Sequence, residues 1–482
     1  MIDKTSSIFN NKIDNKTIKQ ANKQKNKFIK KFGSDTNKTY NIGFKPIDCL
    51  EEMNVSNIYF SDKNESWPEK PFIVGNIRMG FGHYRISIAM ASCAKALGYT
   101  PVWLDLASFD QVGSKMIRYQ NGLYSTGSKL SQKSKLFNKL VWDPMNSEGF
   151  KKLTYNAKDQ KNAELLVPIF TNIPKDIPYI ATHAWPSQAA IHAGMTHVVN
   201  AIPDNWPMAL HLSEGAIHTT QTAEAYMGYK MLDGFDKKRM LNSMSSNDIV
   251  RVGNYVDHEL LVNLEEDNNL RLARIKEGKP LRILMTVGGA GAGFDLFLNM
   301  VNHLMPYVEA KKVTLIINFG DHKDVYDKML KHIKEIKTTN FFNEYDKYLE
   351  FVKDLRKTDK YGIYCIYNED IFKAVYSTNV IMPNSDILIT KPSELAFYPI
   401  PKVFMRHIGG HEVYNAIYSN QAGDGTKECP TNKEMNRMLD KILTDKDILV
   451  SMIERINELK NRGFYDGAYE CVKIAARGRI KE

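Results

Sequence analysis

Residues 72–106, FIVGNIRMGFGHYRISIAMASCAKALGYTPVWLDL, decide the fold class of this chain. They begin with a largely apolar run, Phe72–Ile77, and end with a second one, Pro101–Leu106, and both runs are typical of buried strands. Between the two runs, residues 84–97 carry apolar side chains at helical spacing. A buried strand, a glycine-containing turn, a helix and a second buried strand form a βαβ unit, which predicts a parallel sheet.

The same alternation of strands and helices continues along the chain. It is interrupted between Asp257 and Lys279 by a charged stretch that is typical of an interdomain linker, and then it restarts. We therefore predict an α/β protein with two doubly wound, Rossmann-like domains in tandem. Further strands are predicted at Tyr179–His183, His197–Ile202, Ile217–Gln221, Ile249–Gly253, Arg282–Val287, Val313–Asn318, Gly362–Tyr367 and Asp386–Thr390.

The predicted organisation has five parts. A basic flexible tail is followed by an N-terminal Rossmann-like domain, a linker, a C-terminal Rossmann-like domain and a set of C-terminal helices. The tail is predicted to be flexible because it is rich in Lys, Asn, Gln and Thr and poor in residues that could form a core. In chain order, the predicted ranges are 1–45, 46–260, 261–280, 281–430 and 431–482.

The composition is that of an ordinary globular protein. Of the 482 residues, 43% are hydrophobic and 25% are charged, which excludes a largely disordered chain. Five widely spaced cysteines without a Cys-x-x-Cys pair favour a reducing compartment over a disulfide scaffold. No apolar run approaches the roughly 18 residues that span a bilayer, and no secretory signal pattern is present. We expect a cytoplasmic protein.

The net charge of +10 is concentrated in two segments. Residues 1–45 contain eleven lysines and three aspartates, and residues 115–152 contain eight lysines or arginines and two acidic residues. The second segment also contains aromatic residues, so an anionic membrane surface or nucleic acid are both conceivable partners. No nucleic-acid-binding motif is present, and nucleic acid is therefore not expected as a partner. Peripheral attachment at the inner face of the membrane stays open.

Each predicted domain opens with a strand that runs into glycines. In the first domain, Gly80 and Gly82 precede a predicted helix. Such turns allow a ligand to approach the backbone and direct the amides of a helix N-terminus at an anion. In the second domain, the predicted strand Arg282–Val287 runs into another glycine turn, which we call the second turn. We predict phosphate contacts for this turn, with a purely structural tight turn as the alternative. The glycines of this second turn are Gly288, Gly289, Gly291 and Gly293.

Three polar residues follow predicted strands of the first domain. His83 follows the first strand, where open α/β sheets place ligands, and the near-neutral pKa of a histidine suits a general base. The alternative for His83 is that it only caps the helix. His183 and Asp204 end two further predicted strands, each beside a Trp-Pro pair. Both are candidates for the interdomain cleft, and a conformational role in a turn is the alternative.

A third cluster follows the predicted strand Asp386–Thr390. Carboxylates such as Glu394 and Glu412 can hold paired ribose or sugar hydroxyls, with helix capping or an exposed helix position as the alternative. Because Asn415 stands where a zinc-protease motif needs its second histidine, no metal site is predicted. The candidate residues of this cluster are Lys391, Ser393, Glu394, His411, Glu412 and Asn415.

These motifs resemble those of GT-B glycosyltransferases, and most closely the group that contains MurG and the diacylglycerol sugar transferases. The turn Gly80–His83 is similar to the Gly-Gly-His turn of their acceptor domain, and residues 287–293 are similar to the turn that opens their donor domain. Glu394 lies seven residues before Pro401, as does the ribose-binding glutamate of that family. The segment 411–415 resembles the family segment that contacts the donor sugar.

The resemblance implies the GT-B architecture, in which two Rossmann-like domains face each other across a cleft. It implies that a sugar passes from a nucleotide-sugar donor, expected to be UDP-linked, to an acceptor hydroxyl that could belong to a lipid. His83 or Asp204 would assist deprotonation of that hydroxyl, and Gly80, Gly82 and His183 would lie on the acceptor side. The second glycine turn and the third cluster would bind the donor without a metal or another cofactor, because a helix N-terminus would stabilise the departing diphosphate.

One feature departs from the family pattern. In the relatives a glycine-rich loop separates the lysine at the strand end from the glutamate, whereas only Pro392 and Ser393 separate Lys391 from Glu394. The shorter loop leaves two alternatives open. These are a sugar-nucleotide epimerase and a non-catalytic nucleotide-sugar-binding protein on the same fold.

Overall fold

A computed structural model of the chain describes residues 4–78, 80–133, 140, 149–288, 293–333 and 338–479. The strands form a two-stranded ribbon, an eight-stranded sheet and a six-stranded sheet. In chain order they are β1 (Ser7–Ile8), β2 (Asn11–Lys12), β3 (Ile42–Pro46), β4 (Ser56–Phe60), β5 (Pro71–Asn76), β6 (Thr100–Asp105), β7 (Tyr179–Ala181), β8 (Val198–Ala201), β9 (Ile217–Thr220), β10 (Ile249–Arg251), β11 (Leu281–Thr286), β12 (Val313–Asn318), β13 (Thr338–Phe342), β14 (Gly362–Tyr367), β15 (Ile387–Thr390) and β16 (Lys402–Phe404).

Helices connect most of the successive strands, as the βαβ pattern predicts. The α-helices of the described ranges are, in chain order, α1 (Asn15–Phe32), α2 (Phe81–Ala96), α3 (Val112–Lys133), α4 (Leu153–Ala163), α5 (Ala184–His192), α6 (Ala223–Met231), α7 (His258–Leu261), α8 (Leu264–Lys276), α9 (Phe294–Glu309), α10 (Lys323–His332), α11 (Tyr345–Lys357), α12 (Ile371–Ile381), α13 (Val413–Ala422), α14 (Asn432–Thr444), α15 (Asp447–Asn461) and α16 (Gly467–Arg477).

Each large sheet has a topological switch point, where the order of the strands reverses. The eight-stranded sheet has the order β10-β9-β8-β7-β5-β6-β4-β3, and all of its pairs are parallel except β3 with β4. The six-stranded sheet is parallel throughout, with the order β13-β14-β12-β11-β15-β16. The reversals occur at β5 and β11. In open α/β sheets, ligands bind beyond the carboxyl ends of the strands at such points.

The predicted fold class is confirmed, because the two sheets form two tandem Rossmann-like domains. Every strand predicted from the sequence is present, with bounds that differ by a few residues at most. The side chains of β5, for example, are buried from Phe72 to Asn76, as expected for a central parallel strand covered on both faces. Within the two large sheets, four strands were not predicted, and neither were β1 and β2 of the ribbon. The four are β3 and β4 at one edge of the first sheet and β13 and β16 at the two edges of the second.

The prediction of a flexible tail over residues 1–45 is wrong for its described part. The ribbon of β1 and β2 buries Ile8 and Ile13 in the first domain, and α1 packs against α3 and α4. The side chain of Asp14 caps α1 by accepting a hydrogen bond from the Thr17 amide at 2.8 Å. A few apolar side chains on one face, such as Phe28, are sufficient to dock the helix, while its lysines remain in solvent.

The segment predicted as the linker, residues 261–280, is mostly the helix α8. Its buried residues include Arg271, and it packs against α15. The C-terminal region is helical, as predicted, but its last helix, α16, packs against α2 of the first domain. At the start of α16, Gly467 also lies against the backbone of Gly253 after β10, where a Cβ atom would meet the Gly253 carbonyl oxygen at 2.0 Å.

Two further properties follow from the described residues. All five cysteines are free thiols. Within the described ranges, no helix has the length and apolar character that crossing a membrane requires.

Candidate functional site

The two switch points face each other across a narrow interdomain cavity. From the first domain, Phe81 and Arg85 of α2 line it, and from the second domain, Gly288, Ser393 and Glu394 line it. The cavity has a volume of about 10 Å³, which corresponds to roughly one water molecule. The glycine turns predicted as ligand contacts therefore lie at the two sides of one cleft.

His83 lies in the first turn of α2, within this cleft region. Its Nδ1 lies 2.7 Å from the backbone carbonyl oxygen of Thr182, so Nδ1 carries the proton and donates it to that oxygen. Burial lowers the pKa of His83, while the Thr182 carbonyl and the Asp204 carboxylate act in the opposite direction. The imidazole is therefore neutral near pH 7, and Nε2 keeps its lone pair, as a general base requires.

His183 has a different role from His83, although the rings are 5.0 Å apart in an edge-on arrangement. Nδ1 of His183 accepts a hydrogen bond from the Trp185 amide at 3.1 Å and caps α5. Helix capping, considered for His83 from the sequence, thus occurs at His183. Burial, together with the neighbouring histidines His83 and His211, lowers the pKa of His183 well below the ordinary value.

The capping role of His183 predicts a pH dependence of stability. Because its pKa is lower in the folded than in the unfolded chain, the unfolded chain binds more protons below pH 6.5, and stability falls as the pH falls. This group is expected to contribute a loss of up to about 1.4 kcal/mol for each pH unit below 6.5. A His183→Asn variant, which retains a capping side chain, should lose less stability between pH 7 and pH 5 in urea denaturation. Equal losses would contradict a neutral, buried His183.

Asp204 follows β8, and its carboxylate contacts His211, which in turn contacts Tyr229. Its Oδ2 lies 3.4 Å from Nε2 of His211, and Nδ1 of His211 lies 2.6 Å from the Tyr229 hydroxyl. Burial acts to raise the pKa of Asp204. This effect is outweighed by the hydrogen bond with His211 and by the nearby His411 and His83, so the pKa of Asp204 lies well below the ordinary range. Asp204 is thus a permanent negative charge between histidines of both domains.

The donor-side candidates form a connected group in the second domain. Lys391, which follows β15, forms an ion pair with Glu412, and its alkyl chain lies against Gly288, where a Cβ atom would be 2.8 Å from Cε of the lysine. Oε2 of Glu412 accepts hydrogen bonds from two loop amides, at 2.8 and 3.3 Å. Asn415 donates to the carbonyl oxygen of Pro392 at 3.0 Å, which holds the short loop after β15 in place.

Glu412 is a capping residue, one of the alternatives that the sequence left open, and it also forms an ion pair that the sequence did not predict. Burial raises its pKa, but Lys391 and the neighbouring His411 outweigh this effect, so its net pKa is lowered and the carboxylate stays charged. It caps the turn before α13 and at the same time neutralises Lys391. The imidazole of His411 lies over Gly409, where a Cβ atom would meet its Cε1 at 2.5 Å.

Glu394 connects the two domains. A Cβ atom on Gly82 would lie 2.9 Å from Oε2 of Glu394, so the first glycine turn has room for this carboxylate because residue 82 is glycine. Oε1 of Glu394 lies 3.8 Å from Nε of Arg85. The buried Arg85 also donates to Oδ1 of Asn379 at 2.5 Å. A carboxylate of the second domain thus lies directly beside the glycine turn of the first.

The predicted glycines are only partly described. Gly80 precedes α2 with a φ of +118°, and Gly293 precedes α9 with a φ of +88°, both in the region that favours glycine. Gly289 and Gly291 lie outside the described residues, as do parts of the basic segment 115–152. Ser393 is buried beside the cavity, in the turn that connects β15 to the short helix 394–397.

Sequence reasoning missed several residues that connect the domains. Arg85 was assigned no role from the sequence, although its charge within the apolar face of a helix was an available signal. Trp206 and Tyr414 stack with ring centroids 4.5 Å apart. Arg78 forms an ion pair with Asp321 at 2.5 Å. These contacts join residues that are about 200 or more positions apart, so local patterns could not indicate them.

Comparisons with known proteins agree with a division into two halves. Residues 7–231 match a family described as "Domain of unknown function (DUF6937)", and residues 244–476 match "Domain of unknown function (DUF6938)". No curated protein matches the sequence. Each family covers one of the two large sheets almost completely.

Similar solved structures include three that are matched over most of both chains. The UDP-GlcNAc 2-epimerase of Neisseria meningitidis bound to UDP-GlcNAc is 12% identical, with 85% of this chain and 100% of that chain covered and a TM-score of 0.43. A glycosyltransferase from Rickettsia africae is 13% identical, with 84% and 96% covered and a TM-score of 0.40. Anabaena HepE in complex with UDP and glucose is 11% identical, with 84% and 97% covered and a TM-score of 0.37.

The order of the strands, the two switch points and the cleft between them define the architecture independently of these likenesses. The chain is an α/β protein with two tandem Rossmann-like domains, the architecture of GT-B proteins, and its two halves are similar to two domains of unknown function.

Proposed function

We propose that this protein is a glycosyltransferase that moves a sugar from a nucleotide-sugar donor, UDP-linked, to an acceptor hydroxyl, in the manner of the group that contains MurG and the diacylglycerol sugar transferases. One observation carries the proposal: Glu394 of the donor side lies against Gly82 of the acceptor side, one residue from His83. A carboxylate suited to ribose hydroxyls and a neutral imidazole suited to proton transfer are thus brought to the same cleft.

The donor would bind at the second domain. Glu394 would hold the ribose, and Ser393, His411, Glu412 and Asn415 would surround the donor sugar. Gly288, Gly289, Gly291 and Gly293 would direct the N-terminal amides of α9 at the diphosphate. The positive charge of Lys391 would add to this stabilisation of the leaving group, so the proposed mechanism uses no metal.

The acceptor would enter from the first domain, beside Gly80, Gly82 and His183. As its oxygen forms a bond to the anomeric carbon of the donor, the bond from that carbon to the diphosphate breaks, and the hydroxyl proton passes to Nε2 of His83. The carboxylate of Asp204 then stabilises the imidazolium that forms, because it is charged and close. Asp204 is a weak base itself, since its pKa is far below neutrality.

The cleft must open for the donor to bind. A cavity of about 10 Å³ is far smaller than the several hundred Å³ of ordinary ligand pockets. The contacts Arg85–Glu394 and Arg78–Asp321 join the domains in the closed arrangement. Breaking them in exchange for contacts with the donor would couple binding to domain movement.

The experiment that tests the donor site compares nucleotide sugars by thermal shift with the full chain. Glu394→Ala is expected to weaken binding of the stabilising nucleotide sugar about tenfold or more, because a hydrogen bond to a charged group is lost. Glu309→Ala, an exposed glutamate at the end of α9, is the control. Unchanged affinity in Glu394→Ala would contradict the donor-site assignment.

A sugar-nucleotide epimerase is the second candidate. The observation that favours it is the placement of Asp204 close to histidines of both domains, His83 and His411, because epimerisation needs acid and base groups around one sugar. A transferase releases nucleoside diphosphate only when donor and acceptor are both present. An epimerase changes the donor alone, and a non-catalytic binder gives no turnover.

The acceptor could be a lipid at an anionic membrane surface. The exposed side of α1 carries Lys23, Lys27 and Lys30, and the neighbouring α3 exposes Leu123 and Leu130. Cations beside exposed apolar side chains suit the interface of an anionic bilayer. This surface is a folded helix pair rather than the flexible tail expected from the sequence.

Reversing charge on this surface should weaken membrane binding. Lys27→Glu with Lys30→Glu is expected to reduce co-sedimentation with anionic vesicles about tenfold or more, since each lysine contributes about 1 kcal/mol near such a surface. The matched control is Lys433→Glu with Lys441→Glu on α14, which makes the same change in net charge. If both pairs behave alike, or if the unmodified chain does not bind anionic vesicles, the peripheral membrane role is wrong.

A further inference from the structure

A second cavity lies at the opposite end of the second domain from the cleft. It has a volume of about 240 Å³, and it opens where β11, β14 and β15 begin. Because β11 has six residues, the cavity and the glycine turn after that strand are separated by roughly 20 Å. The cavity is therefore separate from the proposed donor and acceptor sites.

Cations are more numerous than acids around this cavity. Six arginines or lysines line it, from α8, β11, α11 and the segments beside them, against four aspartates or glutamates. One carboxylate, Asp359, is shared by three cations. It lies 2.7 Å from Arg274, 3.3 Å from Lys279 and 3.7 Å from Arg282. The wall of the cavity thus carries more positive than negative charge, and its cations outnumber the carboxylates that could accept their hydrogen bonds.

Arg282 is the residue that most clearly lacks a close partner. It is 95% buried, yet among the described residues its guanidinium reaches only two backbone carbonyls, both at 3.4 Å, and the Asp359 carboxylate at 3.7 Å. The equally buried Arg271, in the same wall, donates three hydrogen bonds of 2.6 to 2.7 Å. Buried guanidinium groups normally form short bonds of this second kind. Burial, with Arg274 nearby, lowers the pKa of Arg282 to about 10, as expected for an incompletely compensated charge.

Arg274 also has an N–H donor, at Nε, that lacks an acceptor among the described residues. This Nε is buried, and the closest carboxylate, Asp386, is 3.6 Å away. At the rim, Lys357 is exposed and lines the cavity. The long hydrogen bonds of Arg282 and the unpaired Nε of Arg274 thus point to a missing acceptor with several oxygens.

We propose that this cavity binds the phosphate group of a small molecule, as a second ligand site of the chain. A phosphate oxygen would supply the close acceptors that Arg282 and Arg274 lack, and Lys279 and Lys357 would hold the rest of the charge. Since Arg274 belongs to α8, the segment between the two sheets, the bound phosphate would tie that helix to the second sheet. Free phosphate, diphosphate and phosphorylated metabolites share this chemistry.

The test measures binding of inorganic phosphate and pyrophosphate to the full chain by calorimetry, with ionic strength held constant by chloride. Lys279→Ala with Lys357→Ala is expected to weaken binding about fivefold or more through loss of two charges. The control pair is Lys276→Ala with Lys353→Ala, exposed lysines on α8 and α11 that do not line the cavity. Asp359→Asn should tighten binding, because it removes the carboxylate that competes with the phosphate.

Weaker binding in the cavity pair and tighter binding in Asp359→Asn would support the site. Equal loss in both lysine pairs would show non-specific attraction, and absence of binding at millimolar concentrations would overturn the proposal. The proposed donor site would also bind pyrophosphate, so only the part of the binding that the cavity variants change is assigned to this cavity. That part does not depend on the proposed transferase activity. Pyrophosphate binding much tighter than that of phosphate would indicate a diphosphate-bearing ligand.

Discussion

Replacement of His83 with asparagine is expected to lower the rate of sugar transfer about 10²- to 10⁴-fold, the usual contribution of a general base. Asparagine can still donate a hydrogen bond towards the Thr182 carbonyl, so the first turn of α2 should keep its structure. It cannot accept a proton near neutral pH. Donor affinity should change little, because the donor contacts are assigned to the second domain. The measurement is release of nucleoside diphosphate with donor and acceptor both present.

The control for this variant is His332→Asn, an exposed histidine on α10 that should leave the rate unchanged. A His83→Asn variant with a normal rate would show that another group accepts the proton. Loss of donor affinity equal to the loss of rate would instead place His83 among the donor contacts, since an interaction made only in the transition state lowers kcat without raising KM.

Asp204 provides an independent check on the same assignment. Its negative charge raises the pKa of His83, so Asp204→Asn should lower that pKa further. The pH at which the rate falls on the acid side should therefore move to lower pH, while the maximal rate decreases because the imidazolium is no longer stabilised. A shift to higher pH would contradict the pairing of these two residues.

The strands of both domains could be predicted from the sequence because buried parallel strands appear as nearly continuous apolar runs. Among the strands that were missed, β3, β4, β13 and β16 lie at or near the edges of the large sheets, where one face or one side is less buried and the pattern is weaker. The helix α1 was missed for a related reason. Its lysines dominate the composition, although Ala21 and Phe28 on its inner face suffice to dock it.

The candidate site could be predicted only as separate motifs. Gly82, His83, Lys391 and Glu394 were identified because glycine turns and strand ends carry local signals. That Glu394 occupies the space above Gly82 depends on how the two domains pack, which no local pattern encodes. Arg85 is the clearest case, since its partners are about 300 residues away in sequence.

The largest loss of stability is expected from breaking the buried ion pair of Lys402 and Asp424. The two charged atoms are 2.8 Å apart, and both side chains are almost completely buried. Lys402 Nζ also donates to the Tyr398 carbonyl oxygen, and the carboxylate accepts from the hydroxyls of Ser419 and Tyr465. Asp424→Ala should lower the free energy of unfolding by about 3–5 kcal/mol in urea denaturation, because it leaves an uncompensated charge in the interior.

The pH dependence distinguishes an uncompensated charge from a simple loss of packing. Burial lowers the pKa of Lys402, and Asp424 opposes this effect, so removal of Asp424 should lower the pKa further. Between the lowered pKa of Lys402 in the folded variant and about 10.4, the unfolded chain of Asp424→Ala binds more protons than the folded chain. The stability of the variant should therefore rise with pH, and its deficit in free energy of unfolding relative to the unmodified chain should shrink. A deficit that is constant between pH 7 and pH 9.5 would indicate lost packing alone.

The double variant Lys402→Met with Asp424→Leu separates the effect of an unpaired buried charge from the effect of lost volume. It removes both charges and keeps apolar volume, so most of the stability should return, and the pH dependence should disappear. Asp327→Ala, which breaks the exposed ion pair of Lys323 and Asp327 on α10, is the control and should have little effect. The buried ion pair of Lys402 and Asp424 joins β16 to the turn after α13, the helix that carries Asn415. Its loss should therefore also loosen the segment that positions the proposed donor contacts.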